Sequence, residues 1–169
     1  HHHVYTMAAM AVWQLVQITD LDPAEIGYLA LATESSMDNA IGTIMVKGLV
    51  DKVLMHHQKP RLSSRIELPE FKQACLAGVH ALKGALRYAQ ASNHGRRAIV
   101  VCSDVAEYER GSSGEPTQGA GAVAMLVDAD ATVLKIEVPD AVYAQHRQLD
   151  FSKPVRRYGI PGYGCLLYT

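Results

Sequence analysis

Residues Ile26 to Ala32 form a nearly uninterrupted apolar run that stops abruptly at the polar cluster Thr33-Glu34-Ser35-Ser36. A run this short, without polar alternation, predicts a strand covered on both faces. A second run of the same kind spans Arg97 to Asp104 and is built on Ile99, Val100 and Val101. Helical patterns alternate with the two runs. Met7 to Thr19 places Ala8, Val12, Leu15 and Thr19 on one face, and Leu76 to Ala91 does the same with Val79, Leu82, Leu86 and Ala89. Strands of this type alternating with helices indicate an α/β layered domain.

Local punctuation fills in the rest. Asp22 is placed to cap a short turn with Pro23 at its first position. Asp38 is placed to cap a helix running to about His56, which Gly42 and Gly48 weaken. His57 to Pro69 is a basic, proline-containing connection ending in a brief apolar segment. Gly95, after Asn93-His94, suits the left-handed cap of the Leu76–Ala91 helix. Glu107 to Gln118 is a Gly/Ser/Pro-rich loop. Gly119 to Val127 and Thr132 to Val138 then predict two strands joined at Asp128-Ala129-Asp130. There is no internal repeat.

Composition excludes several function classes. The 169 residues suit one domain, and the net charge of −1 offers no global field for nucleic acid or an anionic membrane. No apolar run approaches the roughly 20 residues of a spanning helix, and no secretory leader pattern opens the chain. Cys75, Cys102 and Cys165 form neither a C-x-x-C pair nor an even framework, so a reducing, cytoplasmic setting is expected. His1-His2-His3 is read as an affinity-tag remnant rather than a metal site.

Three places can carry chemistry. Cys75 stands where a helical pattern begins, among the small residues Ala74, Ala77 and Gly78. Helix N-termini favour thiolate, and small neighbours admit an acyl chain. Free cysteines are so often buried that these features alone leave a packed core cysteine as the better interpretation. Glu34 follows a buried strand, a position that suits general acid–base work, although on this feature alone a solvated turn residue is the better interpretation. Glu115 to Met125 leads glycines and alanines into a strand, permitting close approach of a ligand or merely tight packing. It is not a phosphate loop, because G-x-x-x-x-G-K is absent.

Four stretches occur in order: Ala32-Thr33-Glu34-Ser35, Phe71-Lys72-Gln73-Ala74-Cys75, Cys102-Ser103-Asp104-Val105-Ala106-Glu107-Tyr108, and Gly114-Glu115-Pro116-Thr117-Gln118-Gly119-Ala120-Gly121-Ala122-Val123. Together they resemble the first half of the 3-hydroxy-3-methylglutaryl-CoA synthase family of the thiolase superfamily. Asp150-Phe151-Ser152-Lys153-Pro154 resembles a further family segment. The resemblance implies a thiolase-like α/β fold over residues 4–155, part of the first βαβαβαββ half and incomplete at its start. Residues 156–169 form a divergent tail that fits the family poorly.

By this resemblance Cys75 takes an acetyl group from acetyl-CoA. Glu34 is the general acid/base for condensation with acetoacetyl-CoA, and Asp104, Tyr108 and Thr117 line the substrate site. The resemblance calls for no metal and no redox cofactor. It implies acyl-CoA or acyl-carrier-protein thioesters as partners. It also implies a homodimer formed through the Ile99–Val101 strand, or a complementary chain carrying the second half. The family's catalytic histidine and asparagine belong to that second half; His80, His94 and His146 do not sit in the corresponding motif. Leu76 replaces the tyrosine usual after the nucleophile, and the Glu34–Cys75 interval is lengthened around His56 to Ser64. Two other functions stay open: a ketoacyl-synthase-like acyltransferase, against which Glu34 argues, and a non-catalytic partner-binding fragment.

Overall fold

The computed structural model describes residues 3–36, 38–91, 95–111, 115–130, 132–137, 142 and 144. Seven main elements follow in chain order: α1 (Val4–Ile18), β1 (Ile26–Ala32), α2 (Gly42–His56), β2 (Glu70–Phe71), α3 (Ala77–Ala91), β3 (Arg97–Ala106) and β4 (Gly119–Val127). All seven residues of β1 are buried, as an apolar run without alternation requires.

The sheet has the order β2-β1-β3-β4. Parallel pairing joins β1 to β2 at Ala32↔Phe71 and to β3 from Ile26↔Arg97 through Ala32↔Cys102. β4 returns antiparallel to β3, from Ala98↔Val127 to Ala106↔Gly119. Asp22 accepts the Ala24 N–H at 2.9 Å and caps a single turn beginning at Pro23, as its position predicts.

The strand pleat sorts side chains by size. Leu29, Leu31, Ile99 and Val101 face one side and pack with Val12, Val16, Val46, Val50 and Leu54 of α1 and α2. The opposite face shows Tyr28, Ala30, Ala32, Ala98 and Val100 to α3, which meets them with Ala77, Ala81, Ala85 and Ala89. The result is an α/β/α sandwich, thick beneath α1 and α2 and thin beneath α3. Close approach on the thin side is visible at two glycines. A Cβ on Gly84 would lie 2.4 Å from the Tyr28 hydroxyl, and one on Gly27 would lie 1.9 Å from that of Tyr88.

Several expectations are corrected. The buried face of α3 is the alanine row; of the expected Val79-Leu82-Leu86-Ala89 face only Ala89 belongs to it, while Val79 is 53% exposed and Leu82 and Leu86 only flank the core. Only small side chains fit under a helix this close to the sheet, so the larger residues rotate outward. On α1 the buried set includes Tyr5, Trp13 and Val16, while Thr19 is the exposed C-cap. α2 begins at Gly42 rather than next to Asp38, although Asp38 Oδ1 does accept the Ile41 N–H at 3.1 Å. Residues 132–137 form no strand, and Val133 and Leu134 are 98% and 70% exposed. A strand needs a ladder partner, and among the described residues these six have none. Ile99, Val100 and Val101 lie in a strand hydrogen-bonded on both sides and fully buried, so they cannot form a dimer contact. Residues 156–169 lie outside the described residues.

Candidate active site

The chain leaves β1 toward α2 on one face of the sheet and leaves β2 toward α3 on the other. Parallel strands whose connections diverge in this way open a crevice beyond their carboxyl ends. Ala32 and Phe71 are neighbours at that edge, so Thr33-Glu34 and Lys72 to Cys75 both emerge there. The Thr33 N–H donates to the Phe71 carbonyl at 3.1 Å and ties the two exits together. Asp104 reaches the same edge from β3, two residues beyond the Cys102 that pairs with Ala32.

Asp104 organises the exit of β1. Its Oδ1 accepts the Glu34 N–H at 2.8 Å, the Ser35 N–H at 2.9 Å, the Ser35 hydroxyl at 2.7 Å and the Thr33 hydroxyl at 3.0 Å. Two of these donors are backbone amides that have left the sheet ladder and need a partner. The sequence places Asp104 among substrate-lining residues; here this carboxylate oxygen is occupied by the protein itself and holds half-buried Glu34 at the rim.

Cys75 is exposed and stands two residues before the start of α3 at Ala77. A tight turn delivers it: the Leu76 N–H donates to the Gln73 carbonyl and the Ala77 N–H to the Ala74 carbonyl, both at 3.0 Å. The first helical bond runs from the His80 N–H to the Leu76 carbonyl. Ala74 has φ +45°, a left-handed conformation that costs an alanine roughly 1–2 kcal/mol. Such strain beside a chemically capable residue is a marker of function. Gly78 lets the first turn of α3 lie over β3, since a Cβ there would be 2.9 Å from the Cys102 Sγ. Burial, reinforced by the Asp104 carboxylate, pushes the Cys102 thiol up. The two thiols at this edge therefore differ in kind: Cys75 is open, while Cys102 is half-buried and held protonated.

Tyr108 and Thr117 lie on the connection from β3 to β4. The Tyr108 N–H donates to Gln118 Oε1 at 3.5 Å, and the Gly111 N–H to Glu115 Oε2 at 2.6 Å. Thr117 ends a single turn, Glu115–Thr117, and is exposed. A Cβ added to Gly119 or Gly121 would meet nothing within 4 Å, so open space rather than tight packing surrounds both. The structure thus joins Glu34 to Asp104 directly and puts Cys75 on the adjacent strand exit. Tyr108 and Thr117 sit on the loop that continues from β3. His80 is half-buried within α3; His94, His146 and Asp150–Pro154 lie outside the described residues. Lys72, to which the sequence assigns no role, pairs with Asp38 and Glu70 beside the site. Nothing in the spacing signals this, because the contact with Asp38 crosses 34 residues. Among the described residues no group of three His, Cys, Asp or Glu could hold a metal ion, and no helix is long and apolar enough to cross a membrane.

Comparison with known proteins places the chain by family and fold. A family model described as hydroxymethylglutaryl-coenzyme A synthase N terminal matches residues 1–132. A hydroxymethylglutaryl-CoA synthase of Haloferax volcanii is 36% identical over 165 residues, covering 94% of this chain and 35% of the relative. A solved structure of MvaS in complex with 3-hydroxy-3-methylglutaryl coenzyme A superposes with a TM-score of 0.78 at 33% identity, over 93% of this chain and 36% of the other. PksG, an HMG-CoA synthase from Bacillus, shares the fold with a TM-score of 0.74 at 24% identity, over 92% of this chain and 37% of the other. The chain spans about a third of the length of these relatives.

Proposed function

Because this chain belongs to the hydroxymethylglutaryl-CoA synthase family, we propose that it supplies the nucleophile and the acid–base group of a condensing site completed by a further part of the enzyme. The observation that carries the proposal is the shared edge. Glu34 and Cys75 leave neighbouring parallel strands at the same end, with Asp104 holding the Glu34 backbone in place.

The Cys75 thiolate attacks the acetyl-CoA carbonyl; the tetrahedral oxyanion collapses, CoA leaves and is protonated, and a thioester remains on Cys75. The N–H of Cys75 is the donor assigned to that oxyanion. Glu34 then removes a proton from the acetyl methyl group. The enolate carbon bonds to the ketone carbon of acetoacetyl-CoA, and protonated Glu34 returns its proton to the new alkoxide. Water cleaves the thioester, releasing a carboxylate and free Cys75. Tyr108 and Thr117 line the substrate. These steps use protein side chains and two thioester substrates, without a metal or redox cofactor. A β-ketoacyl carrier-protein thioester offers the same ketone. The partner in assembly is a second copy or a complementary chain.

The test is mass spectrometry of the full-length protein after acetyl-CoA, followed by acetoacetyl-CoA or a β-ketoacyl carrier protein. A mass gain of about 42 daltons on Cys75, as an acetyl group replaces the thiol hydrogen, absent in Cys75→Ala and retained but unproductive in Glu34→Ala, is the expected result. An intact, folded protein that takes up no acetyl group overturns the proposal. Loading that survives with condensation independent of Glu34 points instead to a ketoacyl-synthase-like acyltransferase.

A further inference from the structure

Lys72 lies three residues before Cys75, and its contacts reach across the crevice. Its Nζ donates to the backbone carbonyl of Asp38 and to Asp38 Oδ1 at 3.2 Å, and stands 3.4 Å from Glu70 Oε1. Asp38 follows Glu34 by four residues. Glu70 is nearly buried, its side chain 3% exposed, and its Oε2 accepts the Thr43 N–H in the first turn of α2 at 3.1 Å. The Thr43 hydroxyl donates to the Pro69 carbonyl at 2.9 Å, so α2 is bonded to β2 and the residue before it. Two Asp38 oxygens accept hydrogen bonds from the ammonium, while buried Glu70 Oε1 faces it as an ion-pair partner without a hydrogen bond.

We infer that Lys72 is a positioning residue that fastens the Glu34 loop to the Cys75 turn and fixes the separation of base and nucleophile; the inference rests on the condensing function proposed above. The loop that carries Glu34 is held at its near end by Asp104 and at its far end by Lys72. The Lys72 and Asp38 side chains are 26% and 24% exposed, so the pair sits at the rim, partly screened by solvent, and acts through its geometry. Forming the thioester requires Cys75 alone. Moving a proton from the acetyl group on Cys75 to Glu34 requires both segments in register, and an error of about 1 Å there costs on the order of 100-fold in rate. A lysine that merely staples the fold would affect both steps alike.

The experiment uses the full-length protein with Lys72→Met and Lys72→Arg. Acetylation of Cys75 is followed by mass spectrometry, and condensation by rapid quench after acetoacetyl-CoA is added to the loaded enzyme. In Lys72→Met, acetylation is expected to stay within about twofold of the parent while condensation falls about 10- to 100-fold. Lys72→Arg, which keeps a cation able to reach Asp38, is expected to recover most of the loss. Equal slowing of both steps, or of neither, overturns the inference. If Lys72→Met does not fold, Asp38→Asn decides: it keeps the carbonyl contact and is expected to show a smaller loss confined to condensation, and the absence of that loss counts against the inference. A parent enzyme that never acetylates Cys75 overturns the proposed function and this inference together. A parent that turns over, with Lys72→Met condensing equally fast, overturns the inference alone.

Discussion

Ser35 and Asp104 are bonded in a closed exchange: the Ser35 hydroxyl donates to Asp104 Oδ1 at 2.7 Å and accepts the N–H of Val105, the next residue, at 2.9 Å. One hydroxyl thereby joins the exit of β1 to β3. Ser35→Ala removes both bonds and leaves the Val105 amide short of a partner, so a loss of about 1–3 kcal/mol is expected in urea unfolding. Asp104→Asn keeps an oxygen acceptor without its charge and is expected to cost less than Asp104→Ala. An Asp104→Ala variant as stable as the parent would contradict this arrangement.

Thiol chemistry should separate the cysteines. Cys75 is exposed, whereas burial and then the Asp104 carboxylate push Cys102 toward its protonated form. Iodoacetamide at about pH 8 is expected to label Cys75 on the order of tenfold faster than Cys102, with denaturant abolishing the difference. Peptide mapping at timed intervals reads the two sites separately.

Asp38 links stability to acidity. Partial burial raises its carboxyl, but the Ile41 N–H, the Lys72 ammonium and the Ala40 N–H together outweigh that and hold it below the usual range. A depressed folded-state pKa gives a contribution fully present above the ordinary carboxylate value of about 3.9 and lost as pH falls through the lowered one. The stability difference between the parent and Asp38→Asn is therefore expected to be flat from neutrality down to about pH 5 and to shrink below about pH 4. Denaturant melts across that range measure it; a difference that grows on acidification would reverse the sign.

The two glycines of α2 are expected to behave oppositely. A Cβ on Gly42 would lie 2.5 Å from the Tyr5 ring and 2.7 Å from Leu31, so Gly42→Ala should destabilise by about 1–3 kcal/mol. A Cβ on Gly48 meets nothing within 4 Å on an exposed helical turn, so Gly48→Ala should stabilise by about 0.4–1 kcal/mol. Thermal melts of the two variants should bracket the parent.

The sequence made the layered fold legible because its strongest signals are one-dimensional. Ile26 to Ala32 reads as a doubly covered strand from its lack of alternation, and the structure gives those bounds unchanged. Gly95 has φ +61°, as its position after a helical pattern requires. What failed depended on distance between layers or on partners far away in sequence. Nothing local says that α3 lies close enough to the sheet to turn its alanines inward and its Val79 outward. The alternation at Thr132 to Val138 is genuine, yet alternation cannot supply a neighbouring strand. At the site, Glu34 and Cys75 were nameable only through the ordered family resemblance, since pattern alone favoured a packed cysteine and a turn carboxylate. The ties that place them join Asp104 to residues about 70 positions away and Lys72 to one 34 away.

The alanine row of α3 also limits how this chain can diverge. Ala77, Ala81, Ala85 and Ala89 set the clearance between helix and sheet, and Cys75 rides at the end of that helix. Each added methyl group in the row would jack the helix outward and displace the thiol with it. Drift toward larger residues there, harmless by hydrophobicity, changes the height at which the cysteine stands. The row acts as a gauge block, so variation should gather on the outward face of α3 while its inner face stays pinned to the smallest side chains.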